Sequence, residues 1–444
     1  MSVYAYICFL FSISIFLAFF TRKISARIQS TIAITASAMI GSLVLIIFGY
    51  FGWFKVEDIA IHIMERVDFK NFLLNGMLGF LLFAGSLGIK LPLMKEQRRE
   101  IAVFALFSTL ASTFFIGILI YYAAMLVGLR IDFVYCLVFG SLISPTDPIA
   151  VLAIIKNLKA PKRLSMQVEG ESLFNDGVGL VIFTTLFAVA FNGQEPTFSG
   201  VFGLFLKEAV GGILFGFVMG FAIHLLITFT KEVSLEILLT LTIPTAGFML
   251  ANLLHISGAL AMVTSGIIIG NWTRRQGFSE RNRYFLDHFW EMIDHSLNSL
   301  LFFLIGLALL LVEFTFESSM LMLLAIPVCL IGRYVSLWIP YQIMSRFRRY
   351  NPYTLRILTW GGLRGGLALA MALSIPSNVV NISGNGMNLD LRDVIILMTY
   401  AVVMFSILVQ GTTIEKMIET SKVIDPKRDA YVKLGGSRDY PPHI

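Results

Sequence analysis

Apolar runs of bilayer-crossing length recur along this chain, separated by short polar breaks. Windows of about 17–25 residues, the length a helix needs to traverse the hydrocarbon core, fall near 3–20, 29–52, 71–89, 101–127, 132–155, 166–190, 201–229, 234–252, 256–271, 292–311, 319–344, 354–376 and 391–414. The pattern predicts an all-α polytopic membrane protein of about thirteen spans. The short window at 256–271 and the polar beginning of the sixth match least well. Residues 1–417 read as one transmembrane domain and 418–444 as a short polar tail containing Pro426, Pro441 and Pro442. No low-complexity linker or second domain interrupts the runs.

Composition agrees with the periodicity. The 444 residues are 57% apolar and only 14% charged, against about 25% charged in soluble domains, and the mean hydropathy is +0.80. Residues 1–20 carry no basic segment ahead of the apolar run; Arg22, Lys23 and Arg27 follow it. That is the pattern of a first transmembrane helix that starts outside, not of a cleaved leader. Alternating the connections from there puts 26 of the 34 basic residues on one side and six on the other, leaving Arg333 and Arg364 within spans. By the positive-inside rule the N-terminus lies outside and the C-terminus in the cytoplasm. The net charge of +6 thus reflects basic loops at one membrane face and gives no reason to expect a nucleic-acid partner. Cys8, Cys136 and Cys329 lie in apolar runs with no metal or disulfide spacing.

Against this background two carboxylates stand out. Asp147 lies in Ser144-Pro145-Thr146-Asp147-Pro148, in the middle of the fifth window, and Asp176 ends Glu171-Ser172-Leu173-Phe174-Asn175-Asp176 in the sixth. A charge near the bilayer centre costs about 2.5–3.5 kcal/mol on insertion scales, and residues that bear that cost mark ion or proton pathways. Pro145 and Pro148 remove two backbone donors and push the residues before them from helical angles. The carbonyls they free, beside a carboxylate and the Thr146 hydroxyl, suit a small hard cation; a plain proline kink is the alternative. At about 100° per residue, Ser172 and Asp176 share one helix face, and Glu171 and Asn175 share a neighbouring one. The expected division is Ser172 and Asp176 toward an ion path, with Glu171 and Asn175 toward another helix. The competing reading is an interfacial loop ahead of the span.

The twelfth window carries Gly361-Gly362-Leu363-Arg364-Gly365-Gly366, four glycines around one arginine, and the eleventh carries Arg333. Each arginine needs a counter-charge or carbonyl ends, supplied most readily by Glu171, Asp147 and the broken fifth span. The interrupted spans occupy positions five and twelve of thirteen, so a shift of seven superposes them in opposite directions. Paired interruptions in corresponding halves point to a transporter site built by an inverted repeat. The six histidines (His62, His224, His255, His288, His295, His443) form no cluster, and the acidic tract from Asp287 to Asp294 reads as a solvated helix beginning.

Together, Ser144-Pro145-Thr146-Asp147-Pro148, Glu171 to Gly177, Ile331-Gly332-Arg333 and Gly361 to Gly366 closely resemble the NhaP/NHE branch of the monovalent cation/proton antiporters. The likeness covers essentially the whole membrane part, with the motifs in order. It implies two inverted six-helix repeats, broken helices five and twelve crossing near mid-membrane, a dimer-forming interface domain and a moving ion-carrying domain. By motif, Asp176 would exchange protons for the cation. Thr146, Asp147 and Ser172 would complete the Na+ shell, with Glu171 near it, paired to Arg333 and held by Asn175. Arg364 would neutralise the partial charges where the broken helices meet. The Asn175-Asp176 pair resembles the electroneutral members, which exchange one cation for one proton.

The resulting expectation is a secondary transporter, not an enzyme, that exchanges Na+ or Li+ for H+ by alternating access. It would work as a homodimer in a microbial cell membrane, in contact with lipid and without a cofactor. Potassium/proton exchange on the same fold is the near alternative. A cation channel is more remote, since it would need no titratable carboxylate. An intramembrane aspartyl protease is remote too, because Gly-x-Gly-Asp and Tyr-Asp segments are missing around Asp147 and Asp176.

Overall fold

A computed structural model describes residues 3–24, 30–50, 68–158, 162–191, 193, 197–230, 232–311, 316–346, 353–384 and 387–423. His62, His443, Lys55, Arg66 and the tail beyond 423 lie outside the described residues, so the charge partition between the two faces is followed only in part. In chain order the helices are α1 (Val3–Ile24), α2 (Ser30–Tyr50), α3 (Phe69–Leu87), α4 (Arg98–Val127), α5 (Phe133–Ile143), α6 (Ile149–Asn157) and α7 (Lys162–Phe191). They continue with α8 (Phe198–Phe229), α9 (Val233–Leu253), α10 (Gly258–Ile268), α11 (Glu280–Leu307), α12 (Phe316–Ser345), α13 (Thr354–Trp360), α14 (Gly366–Leu373) and α15 (Leu391–Phe405).

Among the described residues nine helices are long and apolar enough to cross a membrane, and Ala5–Thr21 and Phe133–Ile143 are shorter apolar ones. The fifth and twelfth windows leave the longer set because each is split, into α5 and α6 and into α13 and α14. Large apolar side chains stand on the outside, Leu126 at 84% and Phe229 at 85% exposure. Such faces suit lipid, as expected of a chain that spans a bilayer.

Small residues set the closest helix approaches, as in membrane packing generally. On α8, Gly212, Gly216 and Gly220 recur every fourth residue and lie against Ser257, Ala261 and Ser265 at and along α10. Gly140 of α5 lies against the Thr113 carbonyl of α4. Thr35 and Ser42 of α2 donate hydroxyl hydrogens to Phe302 O at 3.3 Å and Gly306 O at 3.1 Å on α11.

One stretch decides between two readings of the sequence and another departs from expectation. The sixth window is helical from Lys162 through Phe191, so Glu169 to Asp176 lies inside a helix and the loop reading falls. The tenth begins at Glu280, well ahead of the predicted 292, capped by the Ser279 hydroxyl accepting from Asn282 N–H at 3.2 Å. Charged residues there dilute the hydropathy without ending the helix, because Leu286 and Trp290 keep one face buried. The acidic tract is therefore helix body and not its beginning. Between α14 and α15 a short antiparallel pair, β1 (Asn381–Gly384) and β2 (Met387–Asp390), was not foreseen.

Candidate functional site

The break between α5 and α6 follows from its prolines. Pro148 has no N–H to give the Ser144 carbonyl four residues back, and an orphan carbonyl inside a membrane needs another partner. Arg364 supplies it. Its Nη1 donates to Ser144 O at 2.7 Å and to Pro145 O at 2.9 Å. These carbonyls close the C-terminal end of α5, where the helix dipole is negative and a cation is stabilised. At the start of α6, Asp147 Oδ1 accepts from Ile149 N–H at 3.0 Å.

The second break meets the first. Asp147 N–H donates to Leu363 O at 2.7 Å, an isolated antiparallel bridge between the two unwound segments. Glycine permits this approach: a Cβ on Gly365 would overlap the Asp147 carboxylate, and one on Gly362 would come within 2.9 Å of Arg333 Nε. The carbonyl end of α13 is also capped. Gln410 Nε2 donates to Trp360 O at 3.0 Å, and Ser406 Oγ donates to Gln410 Oε1 at 2.6 Å.

α7 brings its polar residues against this meeting point. Ser172 Oγ donates to Thr146 O. Asn175 Nδ2 donates to Thr146 Oγ1 at 2.8 Å, while its Oδ1 accepts from Thr146 N–H at 3.2 Å. Glu171 turns to α12 and accepts from Arg333 Nη2, both side chains being buried. Arg333 has little else: a contact of Nη2 with Leu358 O at 3.5 Å, with Nε and Nη1 unpartnered among the described residues. Asp176 is half-buried and accepts no hydrogen bond among the described residues, although Asp147 and Arg364 lie close enough to act on its charge.

Thr146, Asp147, Ser172, Asn175, Asp176 and Arg364 are thus gathered at one place, with the Glu171–Arg333 pair beside it. One partner differs from the resemblance: Asn175 spends both polar atoms on Thr146 instead of holding Glu171. Sequence reading missed Ser406 and Gln410, polar residues buried in the last apolar run; their four-residue spacing, one helical turn, was the available signal. Of the histidines, His224 Nδ1 pairs with Thr273 Oγ1 at 3.1 Å and His295 lies 3.8 Å from Glu291. Neither contact reaches the crossing.

Gly365→Ala tests the geometry directly. The added methyl would overlap the Asp147 side chain, 2.8 Å from its Cβ, and overpacking of this kind costs about 1–3 kcal/mol. A lower melting temperature in detergent and a loss of transport are expected; wild-type values for both would mean that the two segments are not held this close.

Comparison with known proteins gives a consistent picture. The family described as "Sodium/hydrogen exchanger, transmembrane" matches residues 10–420. The Na(+)/H(+) antiporter NhaP of Pseudomonas aeruginosa is 40% identical over 396 residues, covering 88% of this chain and 91% of that protein. The Na(+)/H(+) antiporter NhaH of Halobacillus dabanensis is 30% identical over 373 residues, 82% of this chain and 86% of that protein. In fold, the chain is similar to the sodium proton antiporter MjNhaP1 from Methanocaldococcus jannaschii at pH 8. The TM-score is 0.72 at 16% identity, over 94% of this chain and 99% of that one.

Proposed function

The chain belongs to the sodium/hydrogen exchanger family, and from that premise we propose that it exchanges Na+ or Li+ for H+ across a membrane by alternating access, one for one. The supporting observation is Asp176: a carboxylate without a hydrogen-bond donor among the described residues, near Asp147, Thr146 and Ser172, where two broken helices meet. Asp176 takes up either a proton or the cation, and binding one expels the other. Asp147, Thr146 and Ser172 supply further oxygens. Since Ser172 Oγ lies on Thr146 O, an arriving cation exchanges that bond for two ligand contacts, and its departure restores the bond. Glu171 is engaged by Arg333 and stands near the cation. Arg364 fixes the break and keeps positive charge on the carbonyl end of α5.

In this scheme the site crosses the membrane only when Asp176 is neutralised by one substrate or the other, which couples the two fluxes. Asn175 supports the one-for-one ratio, because an uncharged residue there leaves Asp176 as the carrier that titrates. The protein would act as a transporter and not an enzyme, as a homodimer in a microbial cell membrane, with its C-terminus in the cytoplasm. The partition of basic residues supports that orientation.

Competition for one carboxylate has a measurable sign. As pH falls, protons occupy Asp176 and the apparent KM for Na+ rises, by up to about tenfold per pH unit where protons win, the limit for a single shared site. Initial rates in proteoliposomes at several pH values check it; a KM for Na+ independent of pH would exclude a shared site. Repeating the series with K+ decides between sodium and potassium exchange.

A further inference from the structure

The proposed chemistry leaves α11 without a part, yet that helix packs on Gly366 at the crossing and carries Asn298 and Asp294 within two turns of that contact. Leu301 and Ile305 of α11 lie against Gly366, the first residue of α14, and the neighbouring Gly365 lies against the Asp147 carboxylate. Leu301 and Asp147 thus lie against consecutive glycines of the second break. Asn298 sits three residues earlier and Asp294 seven, about 60° and 20° from Leu301 around the helix. The same face thus extends one and then two turns toward the N-terminal end of α11. Asp294 is half-buried and lies within electrostatic range of Asp147.

Asn298 gives the independent sign of a ligand. It is only 3% exposed, and neither its Oδ1 nor its Nδ2 has a partner among the described residues. A buried amide with four hydrogen-bonding positions and none filled calls for water or a hydrated ion beside it. A purely structural position on the buried side of α11, next to Leu297, Leu300 and Leu301, would suit Leu better. Among the described residues no three carboxylates, histidines or cysteines gather closely enough to hold one metal ion, so Asp294 is a separate station and not another ligand of the main site.

We propose that Asp294 and Asn298 form a staging site for a hydrated monovalent cation, on the route between Asp147 and the membrane face at the N-terminal end of α11. Asp294 attracts the cation electrostatically. Asn298 meets its water with one donor and one acceptor and hands it toward Asp147. The station rests on the antiport reading for its substrate, and it makes the approach from one face differ from the approach from the other.

Asp294→Asn and Asn298→Leu in oriented vesicles test it, with Na+ presented in turn to each face and proton flux followed. Asp294→Asn is expected to raise the KM for Na+ about fivefold from the α11 N-terminal face only, the size of a charge interaction across partly wet protein. A one-sided change of this kind does not arise from lost folded protein. Asn298→Leu is expected to raise the same KM while melting no lower than wild type. Wild-type KM from both faces in Asp294→Asn would overturn the station, and a higher melting temperature with unchanged kinetics in Asn298→Leu would make Asn298 a buried misfit. Should Asn298→Leu fail to fold, Asp294→Asn decides alone. A wild-type protein without sodium-linked proton flux would instead bring down the antiport reading, and the station with it.

Discussion

Asp176→Asn is expected to reduce sodium-driven proton flux to the level of protein-free liposomes while leaving the fold intact. The side chain makes no hydrogen bond among the described residues, so an isosteric amide removes no structural contact. What it removes is the only group in the proposed scheme that exchanges a proton for a cation. Asn175 and Thr146 satisfy each other, and Ser172 already donates to Thr146 O, so the neighbours keep their places. Melting close to wild type with no flux is the outcome that assigns the loss to chemistry. Robust sodium-driven flux in Asp176→Asn would move the carrier elsewhere, with Asp147 the next carboxylate to test.

Glu171→Gln is expected to show the largest stability loss of any conservative change in the site. Both members of the Glu171–Arg333 pair are buried, at 2% and 3% exposure, and among the described residues Arg333 has no second carboxylate bonded to it. Removing one partner of a buried pair leaves an uncompensated charge and costs about 3–5 kcal/mol, whereas replacing both with apolar residues is often neutral. Thermal melting in detergent should therefore show Glu171→Gln well below wild type, with Glu171→Leu/Arg333→Met recovering much of the difference. Equal melting of Glu171→Gln and wild type would mean that the pair does little for stability. Transport should stay impaired in the double variant, because the cation then lacks the charge of Glu171 nearby.

Much of this architecture was legible in the chain because a bilayer imposes strict rules. Windows of apolar residues mark helices, and a proline pair or glycine cluster inside one marks a break whose carbonyls need partners. Pro145, Pro148 and the four glycines around Arg364 therefore pointed to both interruptions and to a cation filling one of them. The partner of each side chain was less legible. Glu171 and Asn175 share a side of α7, but only packing decides that one reaches Arg333 and the other Thr146. The beginning of α11 was hidden for a different reason. An amphipathic turn rich in Glu, Arg and Asp reads as solvent-facing in a hydropathy window, although Leu286 and Trp290 bury its other face. Gln410 and Ser406 went unnoticed because one polar turn in a long apolar run has many uses.

The central claim is tested most directly by purified protein in proteoliposomes that carry only a pH gradient. Sodium, lithium or potassium is then added, and proton movement is recorded with and without an imposed membrane voltage. The account predicts that sodium or lithium dissipates the gradient at a rate indifferent to voltage. Proton flux driven by voltage would contradict the one-for-one ratio, and proton movement linked to no cation at any pH would contradict antiport altogether.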